Sequence, residues 1–252
     1  MTRHPLPGLF VTGSDTGIGK TSVAAAIIFR LRAEGRRVGA YKPAVSGADR
    51  DSAGRSVWGD VVRLREALGK TDEVVPDDWI SPQRFAAPLA PYLAARAEGR
   101  DIDEQLLARG VDVWRGRVDA VVVEGAGGLL SPLSEQLLNA DLAARWMWPV
   151  VIVSRRGLGA INQALLTVEA ARTRGLTIAA IVLNTGRSDR LDRSEDLSVL
   201  SNARELARWV PGIPVLETGF VPDGDLRNDP AFLTIQWNVL MSDPSAAEPG
   251  EN

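Results

Sequence analysis

The 252-residue sequence predicts an α/β fold, with one mostly parallel sheet and helices on both faces in a single domain. Three observations predict it. Short β-rich apolar runs recur at residues 9–11, 38–42, 118–124, 149–154, 177–184 and 213–216. Between them lie stretches with helical spacing and helix stop signals. The first run also leads through a glycine-rich turn, Gly13-Ser14-Asp15-Thr16-Gly17-Ile18-Gly19, directly into one of those helices. No internal repeat or linker breaks the alternation. Residues 1–241 therefore read as one domain, and 242–252, with Pro244, Pro249 and Gly250, as a disordered tail.

The turn closes on Gly19-Lys20-Thr21, and residues 22–29 continue as a helix. Strand, glycine-rich loop and helix together are the setting of a Walker A phosphate loop, so the fold reads as P-loop NTPase-like. Glycines let successive N–H groups converge on an anion at the helix N-terminus. Lys20 can bring a mobile charge to the β- and γ-phosphates, and the Thr21 hydroxyl can ligate Mg²⁺. One spacing departs from the strict pattern: Gly13 comes a residue early, and Ser14 holds the usual first glycine position. Glu34-Gly35 stops the helix. The run 38–42 is a second strand ended by Pro43, which puts Lys42 at the carboxyl edge where open α/β sheets bind ligands. That position suits a ligand-facing cation and a plain surface lysine equally. Residues 48–55 read as a polar loop. A helix follows over 57–68, with Asp60 in its first turn, where an acid is commonly a dipole partner.

Residues 70–78 carry Asp72, Glu73, Asp77 and Asp78 and read as a solvated loop. A helix opens within 87–95, with proline near its start. The stretch 102–117 has helical spacing at Leu106, Leu107, Val111 and Trp114. Then the run 118–124 ends in Glu124 and Gly125-Ala126-Gly127-Gly128. This is the pattern of a Walker B strand with glutamate in place of aspartate, where Mg²⁺ or its water is held; a hydrogen-bonded structural glutamate gives the same pattern. Further helices are expected at 137–145, at 160–174 up to Gly175, and near 197–209; 155–159 and 189–196 read as loops. Seven scattered tryptophans read as packing residues.

Composition narrows the chemistry. The net charge is −3 with basic residues dispersed, so no nucleic-acid stripe is present. No apolar run spans a bilayer and residues 1–5 do not read as a signal peptide, so a cytoplasmic protein is expected. With no cysteine there is no disulfide or thiolate nucleophile. The only histidine, His4, lies in a terminus expected to fray, which argues against a Ser-His-Asp triad or histidine-ligated zinc. Catalysis is left to lysines, carboxylates, hydroxyls, backbone amides and an oxygen-ligated ion such as Mg²⁺.

Several blocks together resemble the dethiobiotin synthetase family. They are Val11-Thr12-Gly13-Ser14-Asp15-Thr16 with Gly19-Lys20-Thr21, Tyr41-Lys42-Pro43 with Ser46-Gly47, and Ala87-Pro88-Leu89-Ala90-Pro91. Val123-Glu124-Gly125-Ala126-Gly127-Gly128 with Pro132-Leu133, Gly157-Leu158-Gly159-Ala160-Ile161-Asn162 and Val182-Leu183-Asn184 complete the set in family order, over about residues 9 to 186. Gly17 stands where some members have an acid, Tyr92 where a histidine is common, and 217–222 resembles the base-binding segment only loosely. The resemblance implies ATP, CO₂ and 7,8-diaminopelargonic acid as substrates, a carbamate and a carbamic-phosphoric anhydride as intermediates, and a homodimer with a shared substrate site. It implies Thr21, Asp60 and Glu124 as the Mg²⁺ shell, and Lys20 and Lys42 as catalytic clamps. ATP contacts are implied at Gly17, Ile18, Gly19, Lys20, Thr21, Ser22, Asp60, Glu124 and Gly127, and at Asn184, Thr185 and Pro222. Thr16, Ser46, Gly127 and Asn162 are implied for the substrate, Asn162 from the neighbouring subunit; without the resemblance, Asn162 reads as a helix cap.

Two other readings share the loop. One is another ATP-dependent amide ligase of this fold, which would usually add a glutaminase domain with a cysteine nucleophile. The other is a partition-type nucleotide switch, which would carry an additional lysine early in the loop, where Ser14-Asp15-Thr16 has none.

Overall fold

A computed structural model describes residues 6–69, 74–185 and 197–241. The expectations for His4, residues 70–73, the 189–196 loop and the 242–252 tail lie outside the described residues. Six strands form the central sheet: β1 (Gly8–Gly13), β2 (Val38–Tyr41), β3 (Ala120–Gly128), β4 (Val150–Arg155), β5 (Ile178–Asn184) and β6 (Val215–Glu217). Their order is β6-β5-β4-β1-β3-β2, and every pairing is parallel. Leu9, Phe10, Val11, Val121 to Val123 and Val150 to Val153 have no exposed surface, as strands covered on both faces require.

The first crossover, through α1 (Lys20–Ala33), runs from β1 outward to β2. The crossover through the helix Ala160–Thr173 runs the opposite way, from β4 to β5. Right-handed crossovers that travel in opposite directions must cover opposite faces of a sheet. The chain therefore changes direction at β1, and the carboxyl edge beside that point is where such sheets open a crevice. Helix α2 (Gly59–Leu68) packs against α1 and β2 over this edge.

Local structure departs from the sequence reading in several places. Residues 48–55 are not a plain loop, because Asp49–Arg50 pairs antiparallel with Ser56–Val57. Asp51 Oδ1 closes that hairpin by accepting from the Ala53 and Arg55 amides, both at 2.9 Å. Val57 is thereby taken from the helix, which starts at Gly59. The helix expected over 102–117 is shorter. Asp103 caps it by accepting from the Leu106 amide at 2.9 Å, Glu104–Arg109 is α-helical, and Gly110–Trp114 tightens into a 3₁₀ turn. Within 70–78, a four-residue helix begins at Asp77 and ends at Ile80. Near the C-terminal end, the turns Pro230–Leu233 and Trp237–Leu240 were not anticipated; Phe232 and Trp237 stack there at 5.7 Å. Most tryptophans do pack, Trp146 and Trp148 lying 5.0 Å apart in the core, but Trp209 is 67% exposed.

Candidate active site

The glycine-rich turn leaves β1 and enters α1 through Gly19, whose φ of 88° is left-handed. A side chain there would be strained, and its Cβ would lie 2.1 Å from Asn184 Nδ2, so the position admits only glycine. Asn184 braces the loop from behind. Its amide donates to the Ile18 carbonyl at 2.8 Å and accepts from the Thr218 hydroxyl at 2.7 Å. Thr185 joins the same brace, its amide donating to Thr218 Oγ1 and its hydroxyl to the Thr218 carbonyl, both at 3.1 Å. Lys20 opens α1 and is buried. Its ammonium donates across the loop to the Asp15 carbonyl at 2.8 Å. Burial lowers its pKa to about 8, although Glu124 and Asp60 work in the other direction.

Three further elements bring their residues to Thr21. Its hydroxyl lies 2.8 Å from Asp60 Oδ1 on α2 and 2.9 Å from Glu124 Oε1 on β3. Lys42, just past β2, is 3% exposed; its ammonium bridges the same two carboxylates, 2.7 Å from Glu124 and 2.9 Å from Asp60. The residue is fixed through its backbone, since its amide donates to the Ile80 carbonyl at 2.6 Å. Lys42 is thus no surface lysine, nor is Asp60 a mere dipole partner. Burial opposes the Lys42 charge, but the attraction of Asp60 and Glu124 outweighs it and raises the pKa above the ordinary lysine value. Burial pushes the Glu124 carboxyl up against the pull of Lys42, and Lys42 is the main cause that holds Asp60 down.

This cluster is rich in oxygen and poor in donors. One threonine hydroxyl has a single proton for two carboxylate neighbours, and Glu124 Oε2 is buried without a hydrogen-bond partner. Among the described residues no group of three or more histidine, cysteine or carboxylate side chains comes together to hold a metal. Two carboxylates and a hydroxyl instead fit a hard cation that completes its shell with water and phosphate oxygens, as Mg²⁺ does.

Thr16, Gly17, Gly19, Lys20, Thr21, Ser22, Lys42, Ser46, Asp60, Glu124 and Gly127 line one cleft of about 530 Å³ at the carboxyl edge of the sheet. Gly127 has a φ of 80°, and a Cβ there would meet Ser131 Oγ at 2.6 Å. Ser46 donates its hydroxyl to the Leu89 carbonyl at 2.5 Å. Ile18, Asn184 and Thr185 lie outside the cleft wall; the first is in the core and the other two form the brace. Pro222 is exposed, and Asn162 sits exposed on the first turn of Ala160–Thr173, outside the cleft.

Sequence reasoning missed Thr218, Asn139 and Arg63. Asn139 is fully buried; its amide donates to the carbonyls of Ala126 at 2.6 Å and Gly128 at 3.0 Å, and so shapes the loop after Glu124. No signal marks it, because an asparagine at a helix start reads as a cap. Arg63 lines the cleft three residues after Asp60, which is the one spacing that could have found it.

Parallel sheet, phosphate loop and the lysine–carboxylate cluster at its mouth define a P-loop NTPase. The MinC:MinD cell division protein complex of Aquifex aeolicus shares the fold, with a TM-score of 0.51 and 17% identity over 94% of this chain and 98% of that one. A family model described as an AAA domain matches residues 7–226. The ATP-dependent dethiobiotin synthetase of Anaeromyxobacter dehalogenans strain 2CP-C is 49% identical over 219 residues, covering 86% of this chain and 91% of that protein. The synthetase of Rhodopirellula baltica is 38% identical over 227 residues, covering 86% and 85%. The chain belongs to the ATP-dependent dethiobiotin synthetase family, a family of ligases.

Proposed function

We propose that this chain uses ATP and Mg²⁺ to carboxylate 7,8-diaminopelargonic acid with CO₂ and close it to dethiobiotin. The observation that carries the reading is that Thr21 and Lys42 meet the same two carboxylates, Asp60 and Glu124, beside Lys20 at the end of the phosphate loop. One amine of the diamine adds to CO₂, loses a proton and becomes a carbamate. A carbamate oxygen attacks the γ-phosphorus and ADP leaves, giving a mixed anhydride. The second amine attacks the carbamoyl carbon and expels phosphate; loss of its proton leaves the cyclic urea.

Two anions must meet in this sequence, so alignment and charge neutralisation do more than any strong base. The loop amides and Lys20 hold the triphosphate. Lys42 lies deeper, where a carbamate would meet the γ-phosphate, and supplies the second cation. Thr21, Asp60 and Glu124 would hold Mg²⁺, which would supply neutralisation of the charge that develops on the phosphates. Cytoplasm is the compartment this chemistry suits. Incubation with ATP, Mg²⁺, labelled bicarbonate and the diamine should place label in a stable cyclic urea; ATP turnover that ignores the diamine would overturn the reading.

We assign the substrate carboxylate to the start of Ala160–Thr173, contributed by a second subunit. Asn162 is exposed and does not line the cleft of its own chain, and Leu158, four residues earlier, is 86% exposed. A groove of about 440 Å³ bounded by Leu129, Leu130, Gln163 and Leu166 supplies the apolar neighbourhood for such a contact. Asn162→Ala should raise KM for the diamine and leave ATP affinity nearly unchanged. Mixing Lys42→Ala with Asn162→Ala subunits should restore about a quarter of the parental activity at low diamine, because half of the random dimers then hold one intact site. No recovery, with mixed dimers shown to form, would refute the shared site.

A further inference from the structure

Arg63 has no part in the chemistry above, yet its guanidinium makes three contacts at the edge of the cleft. Nη1 donates to Ser22 Oγ at 2.7 Å and to the Gly224 carbonyl at 2.9 Å, and Nη2 to the Asp223 carbonyl at 2.5 Å. Ser22 follows Thr21 on the first turn of α1, while Asp223 and Gly224 belong to a segment 160 residues further along the chain. Arg63 and Ser22 also line a second cavity of about 230 Å³, whose far wall is residues 223–227. One side chain on α2 therefore forms the partition between the phosphate cleft and its neighbour.

We propose that Arg63 is a positioning residue for nucleotide binding: it clamps residues 223–224 to the first turn of α1 and so builds the cleft wall beside Ser22. The inference rests on reading the cleft as a triphosphate site. Two carbonyls and a hydroxyl all accept, so they come together only around a donor that can serve three of them from one plane. A guanidinium fork does this, whereas an ammonium is a single point. Residues 223–227 are also anchored by Leu226, 3% exposed in the core, and by Arg227, 4.9 Å from the Phe29 ring, while the Asp225–Arg227 ion pair is internal to the segment. Without Arg63 the segment parts from Ser22, and cleft and cavity become one open space. The portion of a nucleotide beyond its phosphates then loses its wall, while Lys20, Lys42 and the carboxylates keep their places.

The test compares Arg63→Ala and Arg63→Lys with the parent protein. ATP affinity is measured by calorimetry, and kcat and KM by steady-state kinetics. Amide hydrogen exchange reports on residues 223–227. Both variants should raise the Kd and KM for ATP roughly tenfold or more, the worth of one charge-assisted hydrogen bond. The fall in kcat at saturating ATP should be far smaller than the rise in Kd, and exchange should quicken at 223–227 but not in the centre of α1. Lysine should fail to rescue either effect. An unchanged Kd in Arg63→Ala, with the parent binding ATP, overturns this inference alone. A loss confined to kcat overturns it too, since Arg63 would then act on the reacting phosphate. A parent protein that binds no ATP overturns the triphosphate reading itself, and this inference with it.

Discussion

Glu124→Gln should lose about two to three orders of magnitude in kcat while keeping its fold. The amide has the shape of the carboxylate, so β3 and the buried position of the side chain are preserved. What disappears is the negative charge that Lys42 and the Thr21 hydroxyl both approach within 2.9 Å. Thr21 and Asp60 alone would hold the proposed cation more weakly, and less charge neutralisation would reach the phosphates. Stability should fall less than when Lys42 is removed, because Lys42 keeps Asp60, 2.9 Å away, as its counter-charge. Steady-state kinetics, a thermal melt and a Mn²⁺ titration separate these effects. Near-normal turnover would remove Glu124 from the mechanism.

Lys42→Ala should fail in two ways at once. Removing the ammonium leaves Glu124, 1% exposed, with no counter-charge within hydrogen-bond reach, and Asp60 beside it. Breaking a buried pair from one side costs roughly 3–5 kcal/mol, and the melting temperature should fall by several degrees. Turnover should fall further than nucleotide affinity does, because the proposed mechanism needs the charge where carbamate and γ-phosphate would meet. Pairing Lys42→Met with Glu124→Gln should return most of the lost stability and none of the activity, which separates the structural role from the chemical one. If Lys42→Ala instead bound ATP poorly and turned over normally at saturation, Lys42 would be a phosphate ligand and nothing more.

The phosphate loop was legible because its parts are contiguous: Gly19, Lys20 and Thr21 follow one another, and strand and helix flank them. The sheet was legible for a similar reason, since buried parallel strands read as unbroken apolar runs. Lys42 and Asp60 were legible only as positions. Their meaning comes from partners 82 and 39 residues away, Glu124 and Thr21, and no local pattern encodes that meeting. Strand pairs of two residues, such as Asp49–Arg50 with Ser56–Val57, are too short to show a period of two. Asn139 holds backbone carbonyls and Thr218 meets Asn184 from 34 residues away, so their side-chain types gave no hint of the loops they hold. Arg63 was hidden by distance as well, since two of its acceptors, the Asp223 and Gly224 carbonyls, lie 160 and 161 residues further along the chain.

At rest, the cleft stores its charges in alternation. Two ammonium groups, Lys20 and Lys42, stand among two carboxylates, Asp60 and Glu124, and the four cancel. Like charges that would repel one another if gathered separately are instead interleaved. The balance also filters what can enter. A lone divalent ion would compete with Lys42 for the two carboxylates, and a lone polyphosphate would face those carboxylates at close range. Only a metal–phosphate complex brings both signs together and exchanges each internal pair for an external one, which favours the chelate over either of its halves.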